Sequence, residues 1–193
     1  RTFNRTVWVG AEPGRLRFAF QSMPGGPPVF SMGCDELWFT ALNHTDGQYY
    51  SRKIGDNSLP GFIPVEIKCA DLHGLLVGRP PEVTYDAVLI DAQIKEDSDA
   101  IVLLLQRRFR GTVGRISVFR DTGELSAAEV LDVHGNRLYT ARITAMQTID
   151  GYRLPANITL TGSAGSLTLD VKRIWPGASV TQDLFRIAPP QSD

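Results

Sequence analysis

With 20 lysines and arginines against 21 aspartates and glutamates, this 193-residue chain has a net charge of −1. It shows no basic stripe, so a nucleic-acid partner has no electrostatic footing. Hydrophobic residues make up 42%, enough for a sizeable core, yet no apolar run reaches the length of a membrane-spanning helix. The composition predicts one domain over 1–193, all-β or α+β in class.

The chain opens in strand-like sequence at 2–9 (TFNRTVWV), turns at 11–14, and alternates cleanly at 15–21, where Leu16, Phe18 and Phe20 oppose Arg15, Arg17 and Ala19. A start at Arg1 rather than methionine, already in a strand pattern, is read as a sequence lacking its upstream portion, an export signal included. The loop at 24–28 (PGGPP) excludes helix. Strands at 29–32 and 36–42 follow, interrupted at 33–35, then a turn at 43–47 and a strand at 48–53. Strands recurring about every ten residues predict a sheet that curls into a sandwich or barrel.

The pattern changes at 64–77 (PVEIKCADLHGLLV). Val65, Ile67, Cys69, Leu72, Leu75 and Leu76 approach helical spacing behind Pro64, and the run from Gly78 to Pro81 stops it. This is the one helix expected. Gly74 inside it is read as a bend, a close-packing site or a mild defect. Strands resume at 83–93, 100–106, 114–120 and 125–133, with turns at 95–99, 110–112, 121–123 and 134–136. A three-stranded meander closes the pattern at 137–147, 153–161 and 166–174. In its middle strand Leu154, Ala156, Ile158 and Leu160 share one face and Arg153, Asn157, Thr159 and Thr161 the other. A short turn, an apolar patch and a polar tail occupy 181–190.

Little of this sequence suggests catalysis. His44, His73 and His134 have no second histidine or cysteine at a ligand spacing, so no metal site is expected. No nucleophile elbow, phosphate loop or dinucleotide fingerprint occurs, and Asp132 beside His134 is a spacing that strand-to-turn sequence produces by chance. We therefore expect no enzyme and no cofactor. Acceptor triplets at Asn4, Asn43 and Asn157 matter only in a eukaryotic secreted protein. Cys34 and Cys69 are a disulfide if the protein is exported and two unrelated buried thiols if it is not. Phe18, Phe20, Phe30, Trp38, Phe39, Tyr49 and Tyr50 crowd the first fifty residues. They form either a sheet core or an uncovered apolar surface fit for apolar ligands.

Three pieces together resemble the bacterial periplasmic lipoprotein-carrier superfamily (LolA/LolB-like). They are Val7-Trp-Val9 with Pro13 and Arg15-Leu-Arg-Phe18, then Gly33-Cys-Asp-Glu-Leu-Trp-Phe39, and finally Asp183-Leu-Phe-Arg-Ile-Ala-Pro-Pro190, in matching order across nearly the whole chain. The resemblance implies a mainly β (α+β) fold, a curved antiparallel half-barrel whose concave apolar face holds acyl chains under a helical plug or lid. It also implies an upstream helix and strand. The chain departs from the familiar carriers at Glu12, where they have an arginine that ties down the lid, and in the stretch between Tyr50 and Val83.

On this basis the expected cavity lining is Leu16, Phe18, Phe20, Leu37 and Phe39, with Ile67, Leu72, Leu75 and Leu76 on the covering helix. A one-residue slip would reverse which face turns inward. The expected protein is exported, periplasmic or attached to the outer membrane, and peripheral to a membrane at most. It binds a lipid or lipidated protein. The rival reading is a sensor or scaffold of the same fold that binds an envelope protein. Export would oxidise Cys34 and Cys69 to a bridge if the fold brings them close.

Overall fold

Alternation and turn chemistry produce nearly every strand. The computed structural model describes residues 6–13, 15–35, 37–54, 63–91 and 99–190. They gather into two compact units, Arg1–Leu59 with Gly177–Asp193, and Pro60–Pro176.

The first unit holds a five-stranded antiparallel sheet in the order β1-β2-β3-β4-β5: β1 (Thr6–Glu12), β2 (Arg15–Gln21), β3 (Pro28–Cys34), β4 (Trp38–Asn43) and β5 (Tyr49–Lys53). β1 runs past the expected end at residue 9, to Glu12. It pairs with β2 without interruption from Thr6↔Gln21 to Glu12↔Arg15, so Ala11 and Glu12 belong to the ladder rather than to a wide turn. Residues 2–5 lie outside the described residues. The break between β3 and β4 falls at 35–37, two residues later than the expected 33–35. The Asp35 carboxylate accepts the backbone N–H groups of Leu37 and Trp38, at 2.8 and 2.6 Å, a side-chain turn that asparagine and aspartate favour. Gly33 and Cys34 stay in β3. A 3₁₀ turn at Gln182–Phe185 and the residues after it pack on this sheet.

The second unit is a seven-stranded antiparallel meander, β12-β11-β10-β9-β8-β7-β6. Its strands are β6 (Ala87–Ile90), β7 (Ala100–Arg107), β8 (Gly111–Phe119), β9 (Leu125–Leu131), β10 (Arg137–Ile149), β11 (Tyr152–Gly162) and β12 (Gly165–Asp170). The expected single curled sheet is thus divided among the described residues. β5 and β6 are each outermost strands, β5 ending in Arg52 and Lys53, which suit an edge exposed to water. The hairpin between β10 and β11 closes through Asp150 and Gly151, with φ of 50° and 81°, the left-handed pair that a two-residue hairpin loop requires.

Two expectations in this unit are corrected. The helix α1 spans Cys69–Leu76, not 64–77. Ahead of it Ile63, Val65 and Ile67 are buried while Glu66 and Lys68 are exposed. That is a period of two rather than a helical one, and the stretch is irregular chain, with bends at 63–65. Ile67 is therefore not on the helix. In β11 the core positions are Pro155, Ile158 and Leu160, with Leu154 and Ala156 only half-buried. The β10–β11 register slips between Ile143 and Ala145 and again between Ala145 and Met146. A bulge changes which parity faces inward, and it also accommodates a proline that has no N–H for the ladder.

Candidate functional site

The paired strands of the first sheet assemble one apolar face. Leu16 lies beside Cys34 and Cys34 beside Phe39; Phe18 lies beside Met32, Met32 beside Ala41 and Ala41 beside Tyr50; Phe20 lies beside Phe30. Ring centroids are 6.3 Å apart for Phe18–Phe20, 5.7 Å for Phe20–Phe30 and 6.0 Å for Phe39–Tyr50, within the range of favourable aromatic pairs. Leu16, Phe18 and Phe39 are buried and Phe20 is half-buried, so four of the five residues expected here share this face. Leu37 is separate: it sits in the Asp35 turn ahead of β4 and is 58% exposed.

The other face of the same sheet carries Arg17, Ser31, Gly33, Trp38, Thr40, Tyr49 and Ser51, and the C-terminal segment lies against it. The Arg17 guanidinium donates to the Leu184 carbonyl at 2.9 Å, the Ile187 N–H donates to Thr40 Oγ1 at 3.3 Å, and the Tyr49 hydroxyl donates to the Ile187 carbonyl at 3.1 Å. Arg186 stands over the Trp38 ring at 6.0 Å. A Cβ at Gly10 would lie 2.8 Å from Leu184 Cδ2, and one at Gly33 would overlap the Phe185 carbonyl oxygen. A strand glycine of this kind marks a site where another backbone comes close. The three sequence pieces that carried the family resemblance therefore meet in one packed seam. Beside it opens a groove of about 540 Å³ lined by Trp38, Tyr49, Asp183, Arg186 and Pro189 among others. Sequence reasoning missed this groove, because nothing local shows that the tail returns to β4 and β5.

Ile67, Leu72, Leu75 and Leu76 lie in the second unit; the first three are buried and Leu76 is half-buried. α1 packs on β11. Val65 lies against Gly162, and Pro155 against Gly78. The buried Asp71 carboxylate accepts the Tyr139 hydroxyl at 3.0 Å and the Glu82 N–H at 2.9 Å. Burial, the largest influence, raises the pKa of Asp71, while these hydrogen bonds and Lys68 pull it down. Tyr139 is also raised, first by burial and then by the Asp71 charge. Gly74 is buried, but a Cβ there would meet only ordinary contacts, 3.6 Å from the Arg79 and Pro80 carbonyl oxygens.

The polar residues noted in sequence have local roles. The Asp132 carboxylate accepts the His134 and Asn136 N–H groups, both at 2.8 Å, and the Asn136 side chain at 3.0 Å. It is a turn scaffold, and these bonds, the Asn136 side chain first, hold its pKa below the ordinary aspartate value. His44 Nε2 is 2.9 Å from Ser31 Oγ. Glu12 faces Arg15 across the hairpin at 3.8 Å. Neither cysteine is a free thiol; Cys34 is buried on β3, and Cys69 is buried as the first residue of α1. Among the described residues no helix is long and apolar enough to cross a membrane.

Among the described residues, two antiparallel sheets, one short α-helix and an aromatic-rich sheet face define the class, a mainly antiparallel β protein. This fold is similar to the crystal structure of a LolA superfamily protein from Nitrosomonas europaea, with a TM-score of 0.51 over 91% of this chain and 77% of that one, at 14% identity. No family model and no curated protein matches the chain.

Proposed function

We propose that this chain is a non-catalytic binding protein of the bacterial envelope, exported to the periplasm or held at the outer membrane. It takes the acyl chain of a lipid or lipoprotein on the apolar face of its five-stranded sheet. The observation that carries the reading is the composition of that face, where the half-buried Phe20 and Phe30 are the accessible rings beside the buried Leu16, Phe18, Met32, Phe39 and Ala41. An acyl chain gains about 0.8 kcal/mol per buried methylene, and such a face has the rings and aliphatic groups to receive it. The likeness of fold to a LolA superfamily protein supports the same reading; the half-barrel curvature is part of the proposal. No cofactor enters it. The helix-borne Leu72, Leu75 and Leu76 belong to the second unit, and the proposal rests on the first unit's face. Export also makes Cys34 and Cys69 partners in a disulfide.

A second reading has its own observation. The groove at Trp38, Tyr49 and Arg186 presents the residue types enriched at the energetic centres of protein interfaces, which favours a sensor or scaffold that binds a protein partner. Titrating a fluorescent fatty acid or lipopeptide against wild type and Phe20→Ala, with thermal melts alongside, separates the two. Acyl binding requires that wild type bind the probe and that Phe20→Ala lose affinity with little loss of stability. A wild type blind to the probe would move the assignment to the scaffold.

A further inference from the structure

The β7–β8 hairpin ends in Arg107-Arg108-Phe109-Arg110-Gly111. Arg107 pairs with Gly111, and the Arg110 N–H closes the turn on the Arg107 carbonyl at 3.0 Å. Phe109, at the outermost point, is 96% exposed. Its φ is 64°, a left-handed conformation that bulky side chains rarely adopt and that asparagine and glycine adopt more readily. An aromatic ring is thus held where the chain leaves it in water and where a turn residue would sit with less strain.

Charge surrounds the ring. Arg107, Arg108 and Arg110 are all exposed, and no guanidinium of the three forms an ion pair with a described residue. Arg108 stacks on Phe109 at 5.3 Å. Among the described residues the carboxylate hydrogen-bonded to the tip is that of Asp86, which accepts the Arg108 backbone N–H at 2.6 Å, so three positive charges stand beside one negative in a chain whose net charge is −1. Tyr85, next to Asp86, is 49% exposed and adds a second ring at the same end of the sheet.

We propose that this hairpin tip docks on an anionic lipid bilayer surface, with the Phe109 ring at the boundary of headgroups and acyl chains and the three arginines on lipid phosphates. Arginine pairs well with phosphate oxygens, and basic residues flanking an inserted aromatic are the ordinary means of interfacial binding. A bilayer suits the tip better than a protein or a nucleic acid. A projecting ring needs a partner it can enter, and the charge is confined to one point rather than laid along a groove that could follow a polymer. This surface is separate from the sheet face assigned to acyl binding, and its test does not depend on that reading.

Co-flotation of the full chain with phosphatidylcholine vesicles, with and without phosphatidylglycerol, tests the proposal. Wild type should float only with the phosphatidylglycerol vesicles and should be released by salt. Arg107→Ser and Arg110→Ser should each weaken partitioning about fivefold, the share expected of one arginine near an anionic surface. Phe109→Asn should weaken it about tenfold through lost apolar burial while melting no lower than wild type, because asparagine accepts the left-handed backbone. Equal behaviour on both vesicle types would overturn the proposal. So would unchanged flotation of the Phe109→Asn and arginine variants, or binding to an acidic protein or a nucleic acid with no vesicle binding.

Discussion

Replacing Gly33 by alanine tests whether the C-terminal segment is held to the first sheet as described. The added methyl would overlap the Phe185 carbonyl oxygen and lie 3.3 Å from its carbonyl carbon. A main-chain oxygen cannot rotate aside as a side chain can, so the segment must shift or leave. A shift costs about 1–3 kcal/mol, as overpacking does. Leaving exposes Phe185 and Ile187, which are 2% and 4% accessible, at about 1.5–3 kcal/mol each. It also gives up the Arg17 and Thr40 hydrogen bonds, at about 1 kcal/mol each. The freed residues regain about 1 kcal/mol each in backbone entropy, which offsets most of that loss. Both routes therefore place Gly33→Ala about 1–3 kcal/mol below wild type in urea denaturation. Ile187→Ala tells them apart. In the wild-type background it should cost about 2–4 kcal/mol. In the Gly33→Ala background that cost persists if the segment only shifts and vanishes if it leaves, a non-additivity that a double-mutant cycle reads directly. A Gly33→Ala variant within about 0.5 kcal/mol of wild type, the range of an ordinary surface change, would refute the packed seam.

Gly74→Ala should stabilise the protein by about 0.5–1 kcal/mol, since the methyl meets only van der Waals contacts; a lower melting temperature would mean the position is tighter than described. Asp71 has a folded pKa above its unfolded value, so its stabilising contribution is fully present below the unfolded pKa and fades as pH rises through the folded one. The urea midpoint of wild type relative to Asp71→Asn should accordingly rise on acidification, and a flat difference across that range would deny the shift. Thiol titration of the unfolded, unreduced chain should find no free thiol, and reduction should cost about 2–4 kcal/mol; two free thiols would reject the bridge. Phe39→Ala, at a fully buried position, should cost about 3–5 kcal/mol with or without a ligand, whereas the half-buried Phe20 should tolerate alanine better.

Local chemistry already determined most of the strands and the antiparallel pairing of neighbours. Period-two alternation in β2 separates Leu16, Phe18 and Phe20 from Arg15 and Arg17, and the Asp150–Gly151 pair places the β10–β11 hairpin, because both signals act within a few residues. The non-helical run ahead of α1 was legible too, in the alternation of Val65 and Ile67 with Glu66 and Lys68, although Pro64 equally suits a helix start. What only the tertiary structure decided is non-local. The bulges that bring Pro155 inward depend on how β10 and β11 share a ladder. The division into two sheets depends on which strands find partners. The need for glycine at position 33 arises from a carbonyl more than 150 residues away along the chain, and the exposure of Phe109 arises from the absence of any described element above the hairpin tip. Sequence patterns record what neighbouring residues prefer, whereas backbone approach and burial are settled by segments that meet only after the chain has folded.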